Sequence, residues 1–352
     1  MVADGPGVAV AEPKAPASSL SPEMQIDLYR QMVRIRRFEE KSAQAFMRAV
    51  VKGFCHLYIG QEAVAVGALS ALEARDAVIT AYRDHGVALA RGTSARACMA
   101  ELLGKRTGCS QGMGGSMHLF DRAHHFYGGH AIVGAHTAVA AGLAFAQQYE
   151  NTGGVTLCLL GEGAVNQGVF SETLNLVSLW KLPIVFLIEN NDYAMGTSVS
   201  RSSAGLPLVN RGSAFDLAGR VANGMDVEDV REKVAEAVSL ARTEHLPTLL
   251  EVNTYRYRGH SMSDPDTYRT KQEIEERKKS DPILLYRHRL EERRILPEIL
   301  AKEIDAEARA EAQDALAFAE ESPEPDLDLA YSLPFSPEDQ IDPVPRPRYS
   351  DI

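Results

Sequence analysis

The sequence predicts an α/β fold, a doubly wound and mostly parallel sheet with helices on both faces. Two runs, 155–160 and 184–188, apolar throughout but for Thr156, read as strands buried on both sides. The stretch between them, 169–180, has helical spacing and is broken by Pro183, so 155–191 forms one strand–helix–strand unit of crossover length. A second helix at 227–244 runs into a strand at 248–252. Mostly apolar strands alternating with helices imply a parallel sheet covered on both faces.

The elements follow in chain order. Residues 1–20, rich in Ala, Pro, Val and Ser, are expected to form a flexible tail. Their lack of a charged secretory start or of transit-peptide arginines points to a cytoplasmic setting. Ser21-Pro22 opens a helix, a Ser cap with Pro just inside it, and Leu28, Met32, Ile35 and Phe38 follow at helical spacing. A helix is expected over 63–72, a short strand over 77–80 and an Ala-rich helix over 132–149. The Gly-rich stretch 104–134 is too broken for a long helix and is expected to be a structured loop region. After 271 the chain reads as helical and acidic, and residues 331–352 as a Pro-rich extension to a main domain spanning 21–330.

Composition excludes several functions. A net charge of -11 without a Lys/Arg-rich run lacks the electrostatic footprint of a nucleic-acid binder. No apolar run approaches the roughly 20 residues of a membrane span, so no membrane partner is expected. Cys55, Cys98, Cys109 and Cys158 are widely spaced, form no C-x-x-C pair, and fit a reducing, intracellular environment.

In open parallel sheets, ligands collect at the carboxyl ends of strands. Those ends are Gly161-Glu162-Gly163 and Glu189-Asn190-Asn191. If the two strands are neighbours, the Glu162 carboxylate and the Asn191 amide oxygen converge beside a helix start. Hard oxygen ligands suit magnesium, which leaves part of its octahedron to phosphates and water. The glycines let backbone N–H groups approach a diphosphate. A dinucleotide fingerprint is disfavoured because Asn166 stands where its third glycine belongs. The plain reading of either piece alone is a tight turn and a strand end.

Together, Gly161-Glu162-Gly163 and Asn190-Asn191 resemble the thiamine diphosphate motif. The strings Gly163-Ala164-Val165-Asn166-Gln167-Gly168, Trp180-Lys181-Leu182-Pro183 and Glu189 through Ser198 are similar to those of pyruvate dehydrogenase alpha subunits, within the thiamine diphosphate-dependent 2-oxoacid dehydrogenase family. So are Gly60-Gln61-Glu62-Ala63, Ala81-Tyr82-Arg83, Gly114-Gly115-Ser116-Met117-His118 and Tyr257 through Pro265, all in order. The resemblance implies the thiamine diphosphate-binding fold of the diphosphate-binding type. It implies Glu162, Asn191 and the Tyr193 carbonyl as magnesium ligands. It implies Gly163 and Ala164 backbone, Tyr82, Arg83 and His260 at the diphosphate, Ala131 and Val133 backbone at the aminopyrimidine, and His56 at the active-site entrance. Proton-transfer roles for His56 and His260 are carried over with it. The implied partners are pyruvate, a beta subunit in an α₂β₂ heterotetramer, and the lipoyl domain of a dihydrolipoyl acetyltransferase, which receives the two-carbon unit by reductive acetylation.

The chain departs from the family at Glu162, where Asp is usual, at Val87, where a second histidine is usual, and at His136-Thr137-Ala138, where Gln-Val-Pro is usual. The extra methylene of Glu162 is expected to weaken the hold on magnesium. Five histidines between His118 and His136 lack zinc-ligand spacing. Ser116, without an identifiable acid, reads as ordinary loop hydrogen bonding rather than as a nucleophile. Arg256 and Arg258 with Ser261 and Ser263 fit either a solvated loop or one that orders over cofactor. Alternatives are a branched-chain 2-oxoacid or acetoin dehydrogenase alpha subunit, a non-catalytic assembly paralogue, and a nicotinamide dehydrogenase.

Overall fold

A computed structural model describes residues 18–332. Most of the expected tail, 1–17, and the extension from 333 onward lie outside the described residues. Helix α1 (Pro22–Met47) starts as the sequence predicts, with the Ser21 hydroxyl accepting the Met24 amide and Pro22 in the first turn. Helix α2 (Glu62–Ser70) follows, then strand β1 (Ala77–Ala81), α3 (His85–Arg91), α4 (Ala95–Leu102) and β2 (Phe126–His130). Next come α5 (Ala135–Tyr149), β3 (Thr156–Gly161), α6 (Gly168–Leu179) and β4 (Ile184–Asn190). A two-residue hairpin, β5 (Tyr193–Ala194) with β6 (Thr197–Ser198), leads to the short helix α7 (Val199–Ser202). Strand β7 (Ala218–Asn223), α8 (Val227–Glu244) and β8 (Thr248–Asn253) complete the sheet. Helices α9 (Lys271–Lys278), α10 (Pro282–Glu292), α11 (Glu298–Glu321) and α12 (Leu327–Ser332) end the described chain.

Six strands form one sheet in the order β2-β1-β3-β4-β8-β7, and every pairing is parallel. Period-2 alternation sends Leu157, Leu159, Val185, Leu187, Leu250 and Val252 into one core, beneath α1, α2, α8 and α11. Their neighbours Cys158, Leu160, Ile184, Phe186, Ile188 and Leu249 enter a second core beneath α5 and α6. This is the two-faced α/β sheet the apolar runs predict. The two strands without that signature, β2 and β7, are the edges of the sheet. An edge strand pairs on one side only; β2 carries adjacent glycines, and β7 exposes four of its six residues. The helix expected from 132 begins instead at Ala135, because Gly134 is left-handed at φ +83°.

The Gly-rich stretch is ordered by one buried acid. Glu101, fully buried at the end of α4, accepts the backbone N–H groups of Ser110, Gly112, Gly114 and Gly115 at 2.7–3.1 Å. On the same face of the sheet, Arg36 of α1 bridges Glu62 of α2 and Asp281 at the start of α10. Removing one member of such a buried set leaves an uncompensated charge, at about 3–5 kcal/mol.

Strand order reverses between β1 and β3: the chain steps outward from β1 to β2, then crosses to the far side of β1 for β3. Such a reversal opens a crevice at the carboxyl ends of the strands.

Candidate active site

A cavity of about 560 Å³ occupies this crevice. All eleven residues carried over from the family line it: His56, Tyr82, Arg83, Ala131, Val133, Glu162, Gly163, Ala164, Asn191, Tyr193 and His260. They come from the connection before α2, the ends of β1, β3 and β4, the hairpin, the segment before α5 and the loop after β8. Strands β3 and β4 are adjacent, with Gly161 opposite Glu189. The convergence of Glu162 and Asn191 follows from that register. Glu162 Oε2 accepts the backbone N–H of Asn191 at 3.5 Å. Gly163 must be glycine, since a Cβ there would meet the Ala194 Cβ at 2.6 Å.

The oxygens expected to hold a cation are reached by a cationic group of the protein itself. One nitrogen of Arg256, Nη1, donates to Asn191 Oδ1 at 3.2 Å and to the Tyr193 carbonyl at 3.1 Å. Two oxygens reached by a single positive atom, with the Glu162 carboxylate beside them, form a compact, hard donor set that suits magnesium. The residues present fit the group the family implies. Among the described residues no three His, Cys, Asp or Glu side chains gather as a metal site of another type.

Arg256 corrects one of the two sequence readings. It is 1% exposed, not solvated. Its Nη2 donates to the Met195 carbonyl and the Tyr268 hydroxyl, and its Nε to the Arg258 carbonyl. Asp264 takes the His260 amide at 2.7 Å and the Tyr268 hydroxyl at 2.8 Å. The 256–269 loop is thus tied to the hairpin that carries Tyr193. No local pattern signals this: Tyr255, Arg256 and Tyr257 are buried in succession while Arg258 is exposed.

Aromatic and basic groups gather at the other end. The rings of His56 and Tyr82 are 4.7 Å apart, and those of His56 and His260 5.1 Å. Arg83 donates to the His260 carbonyl at 2.7 Å and to the Leu57 carbonyl. Burial and the charge of Arg256 lower its pKa to about 10. Burial, and then the Arg83 guanidinium, pull His56 down to about 2 and His260 to about 4. Both rings are neutral at pH 7, and the Nδ1 atom of each is buried without a partner among the described residues. Glu189, at the cavity wall, is raised to about 7 by burial.

The sign of the pH dependence follows. An unfolded histidine titrates near 6.5, so below that pH the unfolded chain takes up protons that the folded His260 refuses. Its stabilising share is present above 6.5 and lost as pH falls toward 4. Glu189 acts oppositely, its share being lost as pH rises from 4.5 through 7. Denaturant titrations at pH 7 and pH 5 are expected to show a smaller acid-side change for His260→Gln than for the parent; an identical change would refute the neutral ring.

Ser116 has the acid the sequence did not reveal. His85 Nε2 lies 2.8 Å from Ser116 Oγ, and Glu39 holds His85 Nδ1 at 3.0 Å. All three are buried, and none lines the cavity. The arrangement is a structural bridge, as the loop reading expected.

A model of the dehydrogenase E1 component family matches residues 30–328. The chain belongs to this family. It is 49% identical over 316 residues to the pyruvate dehydrogenase E1 component subunit alpha of Rhizobium meliloti (strain 1021), covering 90% of this chain and 91% of the relative. The corresponding subunit of Zymomonas mobilis is 47% identical over 305 residues, 86% of each chain. The somatic, mitochondrial form of Sus scrofa is 46% identical over 317 residues, 89% of this chain and 80% of the relative. The family is generally thiamine diphosphate-dependent, and its alpha subunits work with a beta subunit. No described helix is long and apolar enough to cross a membrane.

Proposed function

We propose that this chain is the alpha subunit of a pyruvate dehydrogenase, holding thiamine diphosphate through magnesium for the oxidative decarboxylation of pyruvate. The observation that carries the reading is the meeting of Glu162, Asn191 Oδ1 and the Tyr193 carbonyl at the strand-order reversal, in a chain of this family. These three would hold the cation, with Gly163 and Ala164 backbone and Tyr82, Arg83 and His260 at the diphosphate. Ala131 and Val133 would bring backbone to the aminopyrimidine. When bound, the cofactor supplies the carbanion and the electron sink for decarboxylation. This chain's own work is to bind, to orient and to exclude water. The proton-transfer roles carried over for His56 and His260 would start from neutral rings whose Nδ1 atoms are buried without a partner among the described residues.

The beta subunit would dock on the outer face of α5 and α6, giving an α₂β₂ heterotetramer that delivers the two-carbon unit to the lipoyl domain of an acetyltransferase. Phe145, Tyr149, Leu179 and Trp180 are exposed there, with Phe145 and Trp180 in ring contact at 5.9 Å. Ile132 and Val133, also exposed, continue this apolar surface to the cavity. Free cysteines fit a cytoplasmic setting.

The test is co-expression with the beta subunit and a pyruvate decarboxylation assay with and without magnesium. Magnesium-dependent turnover of pyruvate, well above that of a branched 2-oxoacid, is expected; no turnover by an intact, cofactor-supplied pair refutes the reading. Phe145→Glu with Trp180→Glu is expected to leave a folded alpha chain that no longer co-purifies with beta. Unchanged co-purification would move the docking surface elsewhere.

A further inference from the structure

The orientation of Asn191 is decided two hydrogen bonds away from the cation oxygens. A primary amide has chemically opposite ends, so Asn191 offers its oxygen reliably only if its nitrogen has a partner elsewhere. That partner is Gln61: Asn191 Nδ2 donates to Gln61 Oε1 at 3.1 Å. Gln61 in turn donates its Nε2 to Glu189 Oε1 at 3.2 Å. The same Glu189 oxygen accepts the Tyr58 hydroxyl. Turning Gln61 over would set its oxygen against an oxygen already acting as an acceptor. The polarity therefore runs one way, from Glu189 through Gln61 to Asn191, and leaves Asn191 Oδ1 beside the Tyr193 carbonyl, where Arg256 reaches both.

Burial makes the chain of bonds decisive. Gln61 is 1% exposed, and Glu189 and Asn191 are 6% and 7% exposed, so water does not readily replace a missing link. The turn that carries Gln61 is fixed in its own right, since Glu62 takes the Gly60 N–H at 3.0 Å and pairs with Arg36.

We propose that Gln61 is a positioning residue of the cation site, holding the Asn191 amide oxygen toward a divalent cation through the Glu189–Gln61–Asn191 hydrogen-bond chain. The inference rests on the cation site of the proposed function. Gln61 itself does not touch the cation.

The test uses the assembled pair of this chain and its beta subunit with thiamine diphosphate, and Mn²⁺ as the probe. Electron paramagnetic resonance gives the Mn²⁺ affinity, and water-proton relaxation counts the waters on the bound ion. In Gln61→Leu the Kd for Mn²⁺ is expected to rise at least about tenfold, as for other supports of metal ligands. The bound ion gains about one water as Asn191 turns away. Glu189→Gln, which can donate as well as accept, removes the fixed polarity and moves both readouts the same way by less.

Unchanged affinity and water count in both variants overturn the proposal. So does weaker binding with an unchanged water count, the signature of general loosening. Should Gln61→Leu fail to assemble, Glu189→Gln decides by the same criteria. A parent pair that binds no Mn²⁺ refutes the proposed cation site itself, whereas a binding parent with unmoved variants refutes the role of Gln61 alone.

Discussion

Glu162→Ala is expected to weaken Mn²⁺ or magnesium binding by the alpha–beta pair at least about a hundredfold and to abolish pyruvate turnover, since a direct ligand contributes more than the residues supporting it. The side chain is 2% exposed, so no bulk water is at hand to substitute for the lost oxygen. Its carboxyl faces Arg256 and Arg83, whose charges oppose the upward push that burial gives its pKa. Alanine would leave two buried guanidinium groups with less opposing charge in the same cavity, a second reason for a cation to stay away. Glu162→Asp separates charge from reach: the shorter acid is expected to retain binding that alanine loses. A tighter Kd in Glu162→Asp would confirm that the extra methylene weakens the site; equal affinities would show that the methylene is accommodated. Unchanged cation affinity in Glu162→Ala would remove Glu162 from the site altogether.

The second large effect concerns Arg256. Its guanidinium makes five hydrogen bonds, to Asn191, Tyr193, Met195, Arg258 and Tyr268. Arg256→Ala takes the guanidinium partner from Asn191 Oδ1 and the Tyr193 carbonyl and frees one end of the 256–269 loop, a loss of about 1–3 kcal/mol per unsatisfied buried acceptor. The six-stranded sheet does not depend on these bonds, so the protein is expected to fold with a lowered Tm. Limited proteolysis is then expected to cut within 256–269 at least tenfold faster, with thiamine diphosphate affinity falling alongside because His260 sits on the freed segment. A loop as resistant to protease as the parent's would show that Asp264, Tyr268 and Arg269 hold it without Arg256.

The two effects separate what was legible in the amino-acid order from what was not. Strands β3 and β4 are visible as mostly apolar runs, and β8 as one interrupted by Glu251, because both faces of each are buried, and that condition is written locally. The ends of β3 and β4 were readable as a candidate ligand site because glycine, acid and amide residues at strand termini have few structural uses in common. Strands β2 and β7 were not readable, since an edge strand is paired and buried on one side only.

The sequence by itself determined the fold class, the family resemblance and the residue types at the proposed cation and diphosphate positions. Tertiary structure alone decided which partners orient them. Asn191 depends on Gln61, 130 positions away, and on Arg256, 65 positions away. The Gly-rich stretch depends on the single carboxylate of Glu101, and the neutrality of His56 and His260 on burial beside Arg83. Periodicity reports a residue's relation to its near neighbours along one helix or strand. Hydrogen-bond direction and desolvation depend on groups the sheet brings together from distant parts of the chain, so they come into being only with the fold.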